Sequence, residues 1–407
     1  MIQIPDKTQC SGCTACYSAC PRNCISMQYD EEGFLYPHVD TTSCVDCHIC
    51  EKVCPYHSQE SSGRKESTLA AVQYGNETKR MESTAGGAFS LIADLLINLG
   101  AVVYAAGYDE SVTVCHKRAE TELEISQLRG SKYVQSFLGE TFRLIKQDLR
   151  NGKTVLFVGT PCQVHGLNNL VGNHDKLYTI DLLCLGVSSP GLFRKYIAYL
   201  NEKYKARVTC VQFRNKHYGY ATPNIRICFA NGKYIEQKYD SRVHANLFFK
   251  HYFNARPSCY ACQFREIPRC SDFTIGDFTE IGKYSQKMDD DKGTTRLWAH
   301  SEKGKVLLEM AKKNNTILVL EEDVPNIVGG PKYQIKEPEE RSQFFQDAAN
   351  MDYLTFVRKW EPATVKGILA GIARPIINKL PFKRFIFKQL RAIKTKSYYK
   401  RIRNLNP

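Results

Sequence analysis

The sequence predicts an α/β protein (α+β overall) in three parts: a small cysteine-rich N-terminal module, an α/β body with a mixed sheet, and a basic helical tail. Three observations support this organisation. Two regular runs of cysteines occupy residues 10–54, and apolar strands alternate with helices from residue 68 onward. The last 44 residues contain 12 Lys and Arg and no acidic residue. Strands that alternate with helices are typical of a sheet with both faces covered.

The N-terminal module, residues 1–57, contains two runs of the form C-x2-C-x2-C-x3-C-P. In bacterial ferredoxins this spacing places three cysteines of a run on one [4Fe-4S] cluster, while the fourth crosses to the other cluster. The predicted ligand sets are Cys10, Cys13, Cys16 and Cys54 for one cluster and Cys44, Cys47, Cys50 and Cys20 for the other. Zinc sites use C-x2-C pairs rather than complete triplets, and no other feature indicates a secreted disulfide framework. Cys24 lies outside the pattern and is predicted to be a spare thiol.

The composition is that of a globular protein of two or three domains, since the chain has 407 residues, of which 43% are hydrophobic and 24% charged. Its 17 cysteines are unusual for a cytosolic protein unless they bind metal. Met1–Asp6 shows no signal-peptide pattern, so we expect a cytoplasmic protein. The most apolar stretch, Phe89–Tyr108, contains Asp94 and Gly100, which predicts a buried helix and a strand rather than a membrane span.

The body is predicted to follow a polar linker, Ser58–Ser67, and to consist of an α/β domain over residues 68–187 and a second domain over residues 188–330. Asn231-Gly232 between two apolar runs predicts a hairpin, and the amphipathic pattern of Phe137–Asn151 predicts a helix. Further strands are predicted at 69–74, 101–106, 112–116, 154–158, 177–183 and 273–278, further helices at 89–98 and 190–204, and a strand-helix-strand unit at 294–320.

A second group of cysteines lies in the body. Cys162 and Cys184 follow consecutive predicted parallel strands, so both should lie at the sheet edge where α/β folds place their sites. Cys259 and Cys262 form a C-x2-C pair that could reach the same edge. We therefore predict a third [4Fe-4S] cluster on these four thiols, with Cys270 as a substitute ligand; the alternative is that Cys162 and Cys184 are buried thiols and the pair helps to bind zinc with Cys270. Three further cysteines within strands are predicted to be packing residues: Cys115, Cys210 and Cys228.

Three short stretches could contact a phosphate or a ring. Ser83-Thr84-Ala85-Gly86-Gly87 precedes a predicted helix, whose N-terminus favours negative charge. Gly130-Ser131-Lys132-Tyr133 combines a hydroxyl, a cation and an aromatic ring, and Gly159-Thr160-Pro161 forms a tight turn after a strand. Each stretch is equally explained by helix capping or turn formation. His165 is the best acid–base candidate, although a histidine on a helix surface explains it as well.

The order of the motifs STAGG, GSKYVQS, VGTPCQ, DLLCLG, RPSCYACQF and SDFTIGDF resembles the coenzyme F-420 (deazaflavin) hydrogenase/dehydrogenase beta-subunit family. It is most similar to bacterial members that carry an N-terminal double-cluster ferredoxin and are associated with polysaccharide gene clusters. The resemblance covers about residues 1–330. It implies FAD in the α/β domain beside a further [4Fe-4S] cluster at Cys162, Cys184, Cys259 and Cys262. The implied flavin positions are Ser83, Thr84, Gly86, Gly87, Ser131, Lys132, Tyr133, Gly159 and Thr160.

Two functions follow from these expectations. The first is an iron–sulfur flavoprotein oxidoreductase that accepts electrons from a donor such as ferredoxin and reduces an organic acceptor, for example a cell-surface glycan precursor, because a flavin couples one-electron carriers to two-electron chemistry. The second is an electron-transfer subunit that relays electrons to a partner enzyme. Asp272 and Asp277 match a family signature without an evident role, and no motif indicates a dedicated deazaflavin site.

The tail, residues 364–407, is predicted to form a basic amphipathic helix that starts near Phe382. Apolar residues recur there at helical spacing, and basic residues occupy mostly the other face. Such a helix can lie on an anionic membrane surface, where each Lys or Arg contributes about 1 kcal/mol. The alternative is a helix packed on the body with its charges exposed. Nucleic acid is not expected as a partner, since the sequence contains no recognisable nucleic-acid-binding module.

Overall fold

The computed structural model describes residues 1–57, 67–222, 224–267, 269–320 and 334–364, together with residues 377 and 380. Most of the predicted linker and the amphipathic helix predicted from Phe382 lie outside the described residues. Among the helices that are described, none combines the length and the apolar character needed to cross a bilayer.

The N-terminal module contains two short helices and one hairpin. Each helix follows a residue with left-handed backbone geometry, Thr14 (φ 63°) or His48 (φ 58°), so each cysteine loop reverses direction just before its helix. The two strands pair antiparallel, with Ile25 opposite Val39. The elements are α1 (Ala15–Ala19), β1 (Ile25–Tyr29), β2 (Leu35–Val39) and α2 (Ile49–Lys52).

The body contains eleven strands among its described residues, in one large and one small sheet. They are β3 (Thr68–Gln73), β4 (Val102–Tyr108), β5 (Val114–Ala119), β6 (Val155–Gly159), β7 (Leu177–Leu182), β8 (Val208–Asn215), β9 (Asn224–Phe229), β10 (Tyr234–Glu236), β11 (Phe273–Asp277), β12 (Thr295–Ala299) and β13 (Thr316–Leu320). The large sheet has the order β13-β3-β12-β11-β7-β6-β4-β5, and the small antiparallel sheet has the order β10-β9-β8. The predicted mixed sheet is confirmed.

Helices cover both faces of the large sheet. The helices are α3 (Glu77–Glu82), α4 (Ala88–Asn98), α5 (Glu122–Leu128), α6 (Thr141–Arg150), α7 (Pro161–Val171), α8 (Pro190–Tyr204), α9 (Tyr239–Phe249), α10 (Pro257–Tyr260), α11 (Glu302–Ala311), α12 (Arg341–Asn350) and α13 (Tyr353–Trp360). Apolar side chains of α4, α5 and α11 form one core with the sheet, whereas those of α6 and α7 form the core on the opposite face, which the N-terminal module also joins. The small sheet packs with α8, α9, α12 and α13.

Two sequence predictions need comment. The helix predicted from Phe137 begins only at Thr141, because the Phe137 backbone pairs with β5 through hydrogen bonds to Val114 and His116. The predicted domain boundary at residue 187 remains a prediction, but the large sheet crosses it, since β11, β12 and β13 complete the sheet that β3–β7 begin.

The parallel strands bring the predicted sites to one sheet edge. β6 and β7 run parallel with Gly159 opposite Asp181, and β11 runs parallel to β7. The chain therefore leaves β6 towards Cys162 and β7 towards Cys184 at the same edge, as expected for a binding site in an α/β sheet.

Candidate metal centres and cofactor site

The first predicted ligand set surrounds one cavity, which we call the middle site. Cys10, Cys13, Cys16 and Cys54 line this cavity, whose empty volume is about 330 Å³. Cys10, Cys13 and Cys54 are at most 9% exposed. Burial raises the pKa of the Cys13 thiol, and the nearby Cys54, Cys162 and Cys10 thiols raise it further. Four crowded thiols around one space suit a metal cluster that would bind them as thiolates.

The second predicted set surrounds the outer site, a cavity with an empty volume of about 340 Å³. Its lining includes Cys20, Cys44, Cys47 and Cys50, so the fourth cysteine of each run crosses to the other triplet as predicted. Cys47 is exposed to solvent. Cys24 also belongs to the lining, and its Sγ lies 3.3 Å from the Cys20 Sγ. This hydrogen bond raises the pKa of the Cys24 thiol to about 12, so Cys24 remains a protonated donor beside a predicted ligand.

The third set surrounds the inner site, with an empty volume of about 530 Å³. Cys162, Cys184, Cys259 and Cys262 all line it. Cys162 lies in the first turn of α7, and Cys259 lies in α10. Burial raises the pKa of the Cys184 thiol to about 12, and the Cys162 and Cys262 thiols contribute to the increase.

Cys270, the substitute ligand, is separate from the inner site. It packs against the apolar core beneath α6 and α7, and its backbone carbonyl accepts a hydrogen bond from Asn168. No three His, Cys, Asp or Glu side chains in the described part of the chain are placed to hold a single metal ion. The cysteine geometry therefore favours the larger cluster over the zinc alternative. Cys115, Cys210 and Cys228 lie within strands, as predicted.

The middle and inner sites are neighbours. Ser11 and Tyr56 line both cavities. The helix that carries Cys162 packs directly on the first cysteine loop: a methyl group placed on Gly166 would lie 2.8 Å from the Cys13 Sγ. His165, on the same helix, is half-buried rather than on the helix surface, and its ring packs against Phe264 at 5.0 Å.

The predicted flavin residues divide into structural positions and available positions. Ser83 donates its hydroxyl hydrogen to the Lys79 carbonyl, and Gly86 is packed so closely that an added methyl group would lie 2.0 Å from the Val72 carbonyl oxygen. Gly87 caps α4 with φ 90°, which favours glycine. By contrast, Thr84 and Ser131 are only partly buried and lie together, because the Ser131 N–H donates to Thr84 Oγ1 at 2.8 Å.

Lys132 is not a free cation. Its Nζ donates to the backbone carbonyls of Leu128 (2.9 Å) and Arg129 (3.1 Å), and burial lowers its pKa to about 7. The Tyr133 hydroxyl accepts a hydrogen bond from Arg214 at 3.3 Å.

Gly159 and Thr160 lead into α7. Thr160 and Gln163 form a capping box at the start of this helix. Thr160 Oγ1 lies 3.2 Å from the Cys162 Sγ and also lines the inner site, so this pair is placed beside the predicted third cluster.

Sequence reasoning missed three cations near these loops. Arg214 forms a 2.8 Å ion pair with Asp277, which gives that signature residue a role, and Lys216 donates to the Ala85 carbonyl at 2.7 Å. In the described part of the chain, Arg214 Nε and Arg129 Nη2 are buried without a hydrogen-bond partner. Isolated basic residues in a strand and a loop match no motif, so only the fold brings them together. The other signature residue, Asp272, accepts a hydrogen bond from the Thr179 N–H and so ties the start of β11 to β7.

Comparisons with known proteins address both halves of the chain. Residues 152–324 match the family model for the C terminus of the beta subunit of coenzyme F420 hydrogenase/dehydrogenase, and residues 9–58 match the 4Fe-4S dicluster domain. An uncharacterized ferredoxin from Methanocaldococcus jannaschii is 36% identical over 52 residues, which are 13% of this chain and 66% of that protein, just under two thirds of its length.

Among solved structures, a chain of the F420-reducing [NiFe] hydrogenase complex from Methanosarcina barkeri is 13% identical with a TM-score of 0.42, covering 74% of this chain and 94% of that chain. The two domain matches confirm the resemblance found in the sequence motifs. Residues 152–324 thus belong to the coenzyme F420 hydrogenase/dehydrogenase beta-subunit family, a family of oxidoreductases, and are joined in this chain to an N-terminal 4Fe-4S dicluster domain.

Proposed function

We propose that the chain is an iron–sulfur flavoprotein oxidoreductase that carries electrons from a donor protein to an organic acceptor, using three [4Fe-4S] clusters and FAD. The observation that carries this proposal is the contact between the middle and inner sites. Since Ser11 and Tyr56 line both cavities, the dicluster domain and the family domain share one continuous arrangement of cysteine sites.

The exposure of the cysteines supports a direction from the surface inward. Cys47 of the outer site is exposed, whereas Cys13 of the middle site is 7% exposed. Cys47 would therefore admit a donor protein to the outer site, and the buried cysteines would keep water from the inner two sites. When bound, the clusters supply one-electron transfer, and FAD supplies the exchange between one-electron and two-electron chemistry.

The residues near the Thr84–Ser131 pair fit an anionic group such as the pyrophosphate of FAD. α4 is an 11-residue helix that starts directly after Gly87, and its N-terminus favours negative charge. Arg214 and Arg129 each retain a buried donor atom without a partner among the described residues. A buried donor without a partner costs about 1–3 kcal/mol, so a bound anion would remove a penalty that this region otherwise carries.

The second candidate function is a relay subunit that passes electrons to a partner enzyme. One observation favours it: Lys132, the cation expected to contact the flavin, is held by two backbone carbonyls. The substrate, proposed to be a precursor of cell-surface glycans, and the peripheral position at an anionic membrane surface rest on the sequence motifs and the basic tail alone.

The deciding experiment is a reduction assay on the full chain purified anaerobically. If the first function is correct, the protein contains FAD, and reduced ferredoxin bleaches the flavin absorbance of the isolated chain. Reoxidation of the flavin by organic acceptors then identifies the substrate class. A cluster-replete protein that neither contains nor binds FAD, but transfers electrons to a partner protein, would establish the relay function instead.

A further inference from the structure

Arg256 is the largest fully buried side chain in the described part of the molecule, and it lies between two of the cysteine sites. It caps α10, the helix that carries Cys259, and it lines the inner site. Its guanidinium also contacts the middle site, because Nη2 lies 3.7 Å from the Cys10 Sγ. One cation is therefore in contact with a cysteine of the middle site and with the cavity of the inner site.

The remaining contacts hold this cation in place. Nε donates to the Cys10 carbonyl at 2.7 Å and Nη2 to the Leu35 carbonyl at 3.0 Å. Nη1 donates to Gln135 Oε1 at 2.9 Å, while Gln135 Nε2 donates to the Ser11 carbonyl at 2.8 Å. Arg256 thus binds the first cysteine loop and the hairpin of the N-terminal module to the body.

The charge of Arg256 has no carboxylate partner among the described residues. Its hydrogen bonds go to neutral oxygens and to one cysteine sulfur. Other buried arginines are balanced: Arg341 pairs with Glu32, and Arg269 pairs with Asp181 at 2.9 Å. An unbalanced charge in a protein interior costs several kcal/mol. A compensating anion next to Arg256 is therefore expected, and the thiolates of a loaded cluster are the anionic groups within its reach.

We propose that Arg256 is a charge-setting and positioning residue that raises the reduction potentials of the middle and inner clusters above that of the outer cluster. The proposal rests on the proposed function, since it requires a cluster at the inner site. Net charge and hydrogen bonds to sulfur are among the factors that set cluster potentials. Reduction adds one electron to a site that is already anionic, and a fixed cation stabilises that added charge. Transfer of the electron from the middle to the inner site moves it within reach of the same guanidinium, so this step keeps the stabilisation.

The test compares Arg256→Lys, Arg256→Gln and Arg256→Met in the full chain by iron analysis and EPR-monitored redox titration with dithionite and mediators. The signals are assigned by their loss in Cys259→Ser and Cys47→Ser proteins. In the neutral variants we expect the ratio of reduced to oxidised middle or inner cluster at a fixed potential to fall at least tenfold, which is 59 mV for one electron. Arg256→Lys should retain most of the wild-type potential, and the outer cluster is an internal control.

Arg341→Met is the matched control, because it removes a buried guanidinium from the same contact between module and body, but one whose charge Glu32 balances. Loss of the inner cluster in both neutral variants, with retention in Arg256→Lys, would also support the charge-setting role. Unchanged potentials in the neutral variants, or the same loss in all three variants, would overturn it. A wild-type protein with only about eight irons would instead refute the third cluster of the proposed function.

Discussion

Cys13 and Gly166 are in direct contact across the boundary between the N-terminal module and the body. A methyl group on Gly166 would lie 2.8 Å from the Cys13 Sγ and 3.3 Å from the Ala15 Cβ. Gly166 lies in the interior of α7, where glycine is about 1 kcal/mol less favourable than alanine. The close approach of the first cysteine loop explains why the helix contains glycine at this position.

We therefore predict that Gly166→Ala destabilises the protein, although the same change in an open helix would stabilise it. The added methyl group must push the Cys13 loop away from α7, which should also weaken cluster retention at the middle site. Urea unfolding under anaerobic conditions measures the effect. In unloaded protein, a double-mutant cycle with Cys13→Ala should recover stability, because the smaller side chain removes the overlap; a stabilising Gly166→Ala in the Cys13 background would show that the contact is not tight.

How much of this arrangement could be predicted depends on how local its causes are. Cysteine spacing is a local property, so the outer and middle sets and their crossing followed from the two runs. Cys162 and Cys184 were predictable because parallel strands end at one edge. Arg256 was not, since its partners Cys10, Leu35 and Gln135 lie 246, 221 and 121 positions away along the chain.

The flavin stretches show the opposite limit. The pattern of charge and hydroxyl around Lys132 suggested a ligand contact, but the two carbonyl groups that hold this lysine belong to the turn just before it. Sequence alone cannot distinguish a cation that satisfies its own backbone from one that faces a ligand. The late start of α6 has a similar cause: the backbone of Phe137 joins β5 because of partners that lie outside the amphipathic pattern that predicted a helix.

Iron content tests which cysteines hold the third cluster. Wild-type protein should contain about twelve irons, and Cys259→Ser should reduce this number to about eight. Cys270→Ser is the matched control, because it changes the same residue type in the same segment but lies outside the inner site. Inductively coupled plasma analysis with zinc measured in parallel decides the question. Loss of four irons in Cys270→Ser, or stoichiometric zinc in the wild type, would contradict the assignment.

Flavin affinity tests the role of Arg214. Arg214→Met should weaken FAD binding at least tenfold, about 1.4 kcal/mol, since it removes a cation with an unpartnered buried donor atom beside Tyr133. Arg226→Met is the matched control: both side chains are 20% exposed and both pair with a carboxylate, but Arg226 pairs with Glu236 in the small sheet. Gly87→Asp is a poor test, because φ 90° at this position penalises any side chain. Equal FAD affinity of the two arginine variants, measured by fluorescence titration, would remove Arg214 from the flavin site.

The surface at the outer site should receive the electron donor. Val45 is 59% exposed next to the exposed Cys47, and interfaces for electron transfer are small. Val45→Glu should therefore slow reduction by ferredoxin while leaving reduction by dithionite unchanged. Leu123→Glu is the control, since Leu123 is 75% exposed on α5 in the body. Stopped-flow measurement of cluster bleaching gives both rates. An equal effect of the two variants on the ferredoxin reaction would place the donor elsewhere.

Two buried lysines should make stability depend on pH above neutrality. Burial lowers the pKa of Lys132 and of Lys216 to about 7, from ordinary values of 10.5. Between these pH values the unfolded chain binds more protons than the folded chain, so the free energy of unfolding should rise as the pH increases from about 7. Each such group contributes up to about 1.4 kcal/mol per pH unit.

Lys132→Met should therefore flatten the rise between about pH 7.5 and 9.5, even though it leaves the Leu128 and Arg129 carbonyls without their donor and lowers stability at the alkaline end. The slope of the unfolding free energy against pH, from anaerobic urea titrations, is the informative quantity, because a lost hydrogen bond changes its level and not its slope. Exposed Lys313→Met provides the control and should retain the wild-type slope. A Lys132→Met protein with an unchanged slope would show that Lys132 is charged in the folded protein, as it would be if a bound anion lay beside it.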